Sequence, residues 1–567
     1  MGFTLSPSVN VKEIDLSTIV PAVATSIAAT VGKFAQGPCN TPVLITNQKE
    51  LISMFGEPTS DVDVCKSWFT CSNFLAYGNK LYIVRATDAD LARNAGLEIT
   101  DATLGTIAIV NEIFVQNDEA IDSYTPAWTS ADYKLALHAK YPGVYGNDIQ
   151  VAVSNATDFA TAEIIDGTTF LSEFEFTPTA MAEDNTTVAT DWIGIAVLDA
   201  DDTILEKHMV CTDTTAKDYN SNSQYVENWL QNYSDYIIGF EQAANTDEVD
   251  SIEATSLLGG LDGALISGDI TTGYSYFANE EEIDVNLIID SHVIDETATT
   301  TIQQYIADNV ADSRKDCVGI FTVPYSDVTY GTAPGTATTN CTAYKVTLGR
   351  NSSYCAIYGN WKYQYDKYND VYRWLPLSGD IAGIYARTDY DRDAWFAPAG
   401  LNRGQIKNVV KLAFNPNRAQ RDILYQGQIN PVVNFPSEGP VVWGQKTLQT
   451  KPSAFDRVDV RRLFIVLEKA ISTASKYFLF EKNTAFTRGQ LKGMIEPFLR
   501  TVQGRQGIHE FHVECSDINN TADVIDRNEL VCDIYIQPTR TAEFISLNFI
   551  ATRTGVDFNE FIGKVQY

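Results

Sequence analysis

A change in sequence texture between residues 87 and 256 constrains the fold of this chain more than any other feature. This stretch is acidic and rich in Thr, and short alternating segments such as 168–176 and 192–198 are separated by polar turns. Such alternation is typical of β-strands. Because the regions on both sides have a different pattern, we predict a β-rich module inserted into a trunk. At 567 residues the chain is also too long for one ordinary core.

The regions that flank this module combine helical and strand-like segments. Residues 285–290 and 317–323 have the composition of buried strands, and residues 299–310 between them have a helical pattern. A strand, a helix and a second strand of these lengths predict a parallel βαβ unit. The elements expected before the module are helices at 48–55 and 68–77, closed by Gly56 and Gly78, and a strand at 80–86.

The last third of the chain contains the most regular helical pattern. Apolar residues recur with helical spacing at Val460, Phe464, Leu467, Ile471, Ala474 and Phe478. Arg462, Lys469 and Lys476 are seven residues apart and lie nearly opposite that apolar face. This basic stripe indicates either an ordinary solvated face or a contact with an acidic partner. A second helix is expected at 489–502, followed by strands at 511–515, 530–537 and 544–551.

The charge is unevenly distributed. Lys and Arg total 41 against 73 Asp and Glu, which gives a net charge of -32. Residues 1–399 carry -36 and residues 400–567 carry +4, while residues 403–505 carry +10. The acidic excess argues against whole-chain binding to nucleic acid or to an anionic membrane. The asymmetry favours two surfaces with different partners, although a simple clustering of acidic loops would also produce it.

The sequence contains no pattern that predicts catalysis. It lacks the P-loop, the strand-linked GxGxxG, the HExxH and the GxSxG motifs, and its five histidines are widely spaced. His509, His512 and Cys515 lie close together in the sequence, as zinc ligands can. A spacing of three, however, places the two histidines on opposite faces of a strand, which argues against a shared metal. The nine scattered cysteines indicate reduced, mostly buried thiols. We therefore expect a protein without enzymatic activity, metal or other cofactor, secretory signal or membrane span.

Several short motifs, in this order, resemble the tail sheath proteins of contractile-tailed phages. A Gly37-Pro38 turn and Phe55-Gly56 resemble the amino-terminal part of that family, and residues 141–148 are similar to its PG-x-x-GN motif. The remaining similar motifs are residues 377–383, Ala386-Arg387, 395–400, Trp443-Gly444, 460–463, 480–483, Asn519-Asn520-Thr521, Pro538 and 542–545. Together they are specific, and they cover about the first 90 and the last 190 residues.

The resemblance and the patterns together predict an α+β multidomain chain. We expect a mixed α/β trunk, a β-rich inserted domain, an α+β carboxy-terminal inner domain and extended terminal arms. The expected boundaries are an amino-terminal linking arm at 1–20, trunk at 21–95, an outward-facing insertion at 96–256, trunk at 257–400, a tube-facing inner domain at 401–551 and a carboxy-terminal linking arm at 552–567.

The resemblance implies a structural function. Sheath subunits form a homo-oligomer of helically stacked hexameric rings around a tail tube and contract from a metastable extended state. The implied partners are the tail tube, baseplate and tail terminator proteins, with no direct nucleic acid contact and no membrane insertion, in a virion tail assembled in the host cytoplasm. The residues expected to contact the tube are Arg462, Lys469, Lys476, Arg488 and Lys492. The residues expected to exchange strands between subunits are Val9, Val11, Ile14, Val556, Phe558, Phe561 and Val565.

Two alternatives remain open at this point. A sheath from a headless, phage-derived contractile injection particle would share every motif above. An acidic surface-array or adhesive protein would use the β-rich module as its working part, but it predicts a secretion signal and does not explain the basic segment near the carboxy terminus.

Overall fold

The trunk begins with a small α/β unit. The computed structural model describes residues 24–100, 107–108, 113–124, 128, 133–185, 187–217, 221–242 and 248–547. The first elements are β1 (Ala28–Gly32), β2 (Val43–Ile45), α1 (Gln48–Phe55), α2 (Val62–Leu75) and β3 (Leu81–Arg85). Helix α1 ends as predicted, because Gly56 adopts a φ of 75° that favours glycine. Helix α2 begins six residues before the predicted start at 68, because the Asp61 side chain caps it at Asp63 and Val64.

The inserted module is rich in β-structure, as predicted. Its elements are β4 (Gly96–Thr100), β5 (Ile107–Ala108), α3 (Asp118–Ser123), β6 (Tyr133–Ala139), β7 (Gln150–Ser154), β8 (Glu163–Ile165), β9 (Thr168–Thr169), α4 (Phe170–Glu173), α5 (Pro178–Asn185), β10 (Trp192–Leu198), β11 (Ile204–Cys211), α6 (Val226–Tyr233), β12 (Ile237–Glu241) and β13 (Ile252–Ser256). Two four-stranded sheets, in the orders β11-β10-β7-β13 and β12-β6-β4-β5, enclose a core that runs from Ala95 to Leu257.

The chain then returns to the trunk. The elements are α7 (Ser267–Ser275), β14 (Leu287–Ile289), α8 (Glu296–Tyr305), a π-helical turn (Ile306–Ala311), α9 (Asp312–Arg314), β15 (Val318–Thr322), α10 (Tyr325–Val328), α11 (Pro334–Leu348), β16 (Cys355–Tyr358), β17 (Trp361–Asp366), β18 (Val371–Pro376), α12 (Ser378–Asp391), β19 (Lys411–Leu412), α13 (Arg418–Gln426), β20 (Ile429–Asn430), β21 (Val432–Phe435) and β22 (Gly439–Val442). Strands β14 and β15 pair in parallel around α8, which confirms the predicted βαβ unit.

A seven-stranded sheet organises the trunk. Its order is β2-β3-β1-β14-β15-β16-β20, and every pair is parallel except β2 with β3 at one edge. Parallel sheets bury both faces, and here one apolar cluster includes residues of α2 and α12 while the other includes residues of α7, α8 and α11. Ile406, Val432 and Leu448 also belong to these clusters. The trunk therefore continues to residue 448, and the boundary predicted at 400 is wrong because residues 401–448 pack on the sheet.

The carboxy-terminal body is smaller. It contains α14 (Val458–Ser475), a 3-10 turn (Lys476–Phe478), α15 (Ala485–Gly504), β23 (Ile508–Glu514), α16 (Ala522–Asp526) and β24 (Asp533–Pro538). Strands β23 and β24 form an antiparallel pair. The third strand predicted at 544–551 does not form in its described part, since residues 544–547 are outside regular structure. The remaining residues of that prediction lie outside the described residues.

Candidate assembly surface

Helix α14 is buried by two different cores. Val458 and Ile465 pack in the trunk, whereas Leu463, Leu467 and Ala470 pack in the carboxy-terminal body with α15 and β23. The sequence pattern predicts an apolar face on this helix and a basic stripe nearly opposite it, open to solvent or to a partner. Because two bodies enclose the helix, charged residues between their contact surfaces are buried as well.

Arg462 shows the consequence most clearly. This residue, predicted to lie on an exposed basic stripe, has a relative exposure of 4%. Its guanidinium binds the Asp389 carboxylate through Nη1–Oδ1 at 2.7 Å and Nη2–Oδ2 at 2.5 Å, and it lies 5.0 Å from the Tyr385 ring. The predicted exposure of Arg462 is therefore wrong, because a bidentate partner 73 positions away in sequence holds it inside the protein.

Two more of the five predicted tube-contact residues are engaged inside the chain. Lys469 binds Asp284 and lies 3.3 Å from Asp316, so it connects α14 to the trunk. Arg488 is buried, donates to Asn483 Oδ1 at 2.7 Å and pairs with Asp517. These contacts neutralise much of the charge that the sequence count assigns to an open basic surface.

The other two predicted tube-contact residues are accessible to a partner. Lys476 is exposed at the end of α14, and Lys492 on α15 lies 3.8 Å from Glu496 with its side chain 37% exposed. The structure thus divides the predicted set into a buried group and an accessible group. The exposure of Lys476 and Lys492 does not show what binds there, so their contact with a tube stays a prediction.

The connection between α14 and α15 carries an apolar tip that the sequence reasoning missed. We define this tip by four exposed side chains, Tyr477, Leu479, Phe480 and Phe486. Phe480 is fully exposed and has a φ of 67°, which is strained for a residue with a side chain. Exposed apolar groups of this kind mark interaction surfaces. The available signal is the five large apolar residues within positions 477–486, of which the sequence analysis uses Phe478 in the apolar face of the helix and Phe480 in a family motif.

The end of the described chain is fixed to the start of α14 by an ion pair. Arg457 donates from Nε and Nη2 to the two oxygens of Glu543 at 2.7 and 3.0 Å, and Tyr425 donates to the same carboxylate at 2.9 Å. Burial alone would raise the pKa of Glu543, but the hydrogen bonds and charge of Arg457, with bonds from Gln445 and Tyr425, hold that pKa below its ordinary value. The carboxylate is therefore kept ionised and attached.

A second contact supports this attachment. The Thr541 hydroxyl donates to the Asp459 carboxylate in the first turn of α14. Gln445 Nε2 donates to Asp459, Thr541 and Glu543 at 3.2 to 3.4 Å. Beyond this point Phe544, Ile545 and Leu547 are exposed. The chain therefore leaves a fixed root as an exposed apolar segment.

The start of the described chain reaches the same helix. Arg462 Nη2 donates to the backbone carbonyl of Thr25 at 3.2 Å, three residues before β1 begins at Ala28. The residues predicted to exchange strands, Val9, Val11, Ile14, Val556, Phe558, Phe561 and Val565, lie outside the described residues.

Comparisons with known proteins identify the family. Family models match residues 25–86 ("Tail sheath protein Gp18 domain III N-terminal region"), 268–448 ("Phage tail sheath protein central domain") and 450–552 ("Phage tail sheath C-terminal domain"). The tail sheath protein of Vibrio phage KVP40 is 33% identical, with 99% of this chain and 100% of that protein covered. The chain belongs to the phage tail sheath family. The tail sheath protein of Enterobacteria phage T4 is 32% identical to this sheath chain over 99% of each.

Solved structures share the fold of this sheath chain. The sheath tail protein of Desulfitobacterium hafniense superposes with a TM-score of 0.53 at 14% identity, covering 94% of this chain and 100% of that one. The helical sheath of the anti-feeding prophage in its contracted state superposes with a TM-score of 0.51 at 14% identity, covering 97% and 100%. At such identities the likeness shows the fold alone.

The three family matches cover different parts of the sheath chain unevenly. They span the first trunk unit, the rest of the trunk and the carboxy-terminal body, and they leave residues 87–267 uncovered. Those residues contain the inserted module with its own core. The three family models therefore describe the trunk and the carboxy-terminal body, whereas the full-length relatives align with the module as well.

Three further features of the sheath chain are its potential metal ligands, its cysteines and the length and polarity of its helices. Among the described residues, no group of three or more His, Cys, Asp or Glu side chains is placed to hold a metal ion. Eight of the nine cysteines are buried as predicted, and Cys532 is partly exposed. No helix in the described ranges is both long and apolar enough to cross a membrane. The homologues are structural tail proteins.

Proposed function

We propose that this chain polymerises as helically stacked hexameric rings around a tail tube and contracts from a metastable extended state to drive the tube through a host envelope. The observation that carries the proposal is the pair of fixed roots at Thr25 and Glu543, the second of which continues into exposed apolar residues. Segments that leave a rigid body in this way suit strand addition to a neighbouring copy, since main-chain hydrogen bonds provide the affinity. Head-to-tail contacts of this type build open helices.

The proposed contraction requires two packings of rigid subunits. A high-energy extended lattice held by a kinetic barrier releases its energy when the bodies rotate and bury more surface. Arms that keep neighbours linked during this rotation prevent the lattice from falling apart. The virion tail is the proposed location, with baseplate and tail terminator proteins at its two ends. The 32–33% identity to two phage proteins favours a phage tail over a headless particle.

Deletion of the arms tests the proposal. Removing residues 1–19 or 553–567 leaves both roots in place, so the trunk is expected to fold while polymerisation is lost. Size-exclusion chromatography and negative-stain electron microscopy of the purified chain would show monomers. A chain with a Gly-Ser replacement of the exposed turn at 200–202 in the module serves as the control and is expected to polymerise. Polymers of ordinary length from either arm deletion would refute the linkage.

We propose further that the tube contact is made by the accessible end of the carboxy-terminal body. The contact consists of Lys476, Lys492 and the apolar tip, whereas Arg462, Lys469 and Arg488 hold the body to itself and to the trunk. Exposed ion pairs are individually weak and are screened by salt, so the two lysines add a salt-sensitive component to the contact that the apolar tip makes. The module, acidic and built around its own core, is proposed to face outward.

Charge reversal at the accessible lysines tests the tube contact. Lys476→Glu with Lys492→Glu is expected to lower co-sedimentation with purified tail tubes by about ten-fold, since each exposed pair contributes about 0–1 kcal/mol. Self-assembly is expected to be unchanged. The control is Lys207→Glu, an exposed lysine of the module. If co-sedimentation at low salt equals that of the original chain, the assignment fails.

A further inference from the structure

Both ends of the described chain meet the beginning of one helix. Arg457 immediately precedes α14, Asp459 lies in its first turn and Arg462 lies one turn later. Arg457 and Asp459 hold the carboxy-terminal root through Glu543 and Thr541, and Arg462 holds the amino-terminal root through the Thr25 carbonyl. Thr25 and Glu543 lie more than 500 positions apart in the sequence, yet the side chains that hold them lie within five residues of each other.

We infer that the first turns of α14 form a common mount that positions both terminal segments for linkage between subunits. Arg457, Asp459 and Arg462 are positioning residues, since they hold the terminal segments and are not themselves the contacts with another copy. The inference rests on the proposed function, because it takes the terminal segments to be the links. It adds where those links are fixed and which side chains fix them.

The contacts have the character of built attachments. Arg462 and Asp389 are both 4% exposed at their side chains, so their bidentate pair is shielded from water and salt. Glu543 accepts hydrogen bonds from three different side chains, those of Arg457, Gln445 and Tyr425. Charge-assisted bidentate pairs fix orientation as well as distance, which a mount requires.

The position of α14 explains why a shared mount would matter. The same helix packs into the trunk core through Val458 and Ile465 and into the carboxy-terminal core through Leu463 and Leu467. A displacement of either terminal segment is therefore transmitted to α14, the helix that joins the trunk and the carboxy-terminal body. Movement of one neighbour reaches the trunk, the carboxy-terminal body and the other root through a single rigid helix.

Hydrogen exchange and a charge-reversed double variant test the mount separately from the links between subunits. In the full-length chain, Glu543→Gln is expected to raise hydrogen exchange about ten-fold in the peptide 539–547, because a charged hydrogen bond is lost. Exchange in the peptides 457–463 and 24–31 is expected to rise as well, because the first contains the start of α14 and the second contains Thr25, whose carbonyl is bonded to Arg462 of that helix. Combining Arg457→Glu with Glu543→Arg is expected to restore protection that each single change removes. Glu529→Gln in the exposed Arg527–Glu529 pair is the control and is expected to change none of the three peptides.

Two results would overturn the mount. Unchanged exchange at 24–31 in Glu543→Gln would mean that the two roots are independent, and failure of the reversed pair to restore protection would mean that the ion pair does not position the segment. The proposed function is judged separately by the arm deletions. If deletions abolish polymers while Glu543→Gln assembles with ordinary yield and order, the links stand and the mount is wrong; polymers from the deletions would remove the links themselves.

Discussion

The trunk and the inserted module differ in what their buried ionisable groups connect. In the trunk, Lys362 on β17 and Asp380 on α12 form a fully buried ion pair at 2.7 Å. In the module, His138 on β6 is fully buried and its Nδ1 has no hydrogen-bond partner, while Gly96 on the paired strand leaves room for the ring. The trunk pair thus joins a strand to a helix, whereas the module's buried groups lie within one sheet: besides the neutral His138, Lys134 on β6 pairs with Glu241 on the neighbouring β12 at 2.7 Å. The trunk pair therefore connects separate layers of the fold, whereas those groups of the module belong to a single sheet.

The largest effect is expected from breaking the trunk pair. Asp380→Ala leaves Lys362 buried without its partner, and removing one member of such a pair costs about 3–5 kcal/mol. Urea unfolding followed by tryptophan fluorescence should show a destabilised trunk transition and an unchanged module transition. Glu173→Ala removes the exposed Lys207–Glu173 pair in the module and serves as the control, with an expected cost of about 0–1 kcal/mol. An equal cost for the two variants would contradict the comparison.

A smaller, pH-dependent effect is expected in the module. Burial lowers the pKa of His138 to about 3. Because the folded state keeps the imidazole neutral while the unfolded chain binds a proton below about pH 6.5, stability falls as the pH falls, by about 2 kcal/mol at pH 5. Unfolding curves at pH 7 and pH 5 measure the loss, which His138→Leu should remove. His512→Leu, at an exposed position on β23, should leave the pH dependence intact; if it does not, another group is responsible.

The smallest effect is expected from removing the module altogether. Its two ends leave the trunk side by side, since Gly96 N donates to Leu258 O at 2.8 Å and Arg93 pairs with Leu261. Residues 97–257 can therefore be replaced by an Asn-Gly turn without separating these ends. The shortened chain is expected to polymerise to the same length distribution in electron micrographs. Loss of polymers from a folded shortened chain would show that the module takes part in assembly.

Local sequence signals predicted much of the trunk, and long-range contacts account for what they missed. Gln48–Phe55 with Gly56 and the βαβ unit depend on short-range periodicity and turn chemistry, and both were predicted correctly. The exposure of Arg462 was predicted wrongly because its partner Asp389 lies on another helix, so the +10 count for residues 403–505 does not translate into an open basic surface. The summed charge of a sequence segment predicts a charged surface only where the ion-pair partners of its residues lie in the same segment.

The most direct measurement is a cryo-EM reconstruction of the assembled sheath at a resolution that traces both chain ends. We expect Thr25 and Glu543 to stay on α14 of their own subunit while residues 1–19 and 553–567 each pair with strands of other copies. A lattice in which both terminal segments fold back onto the body from which they emerge, without touching a second copy, would contradict it.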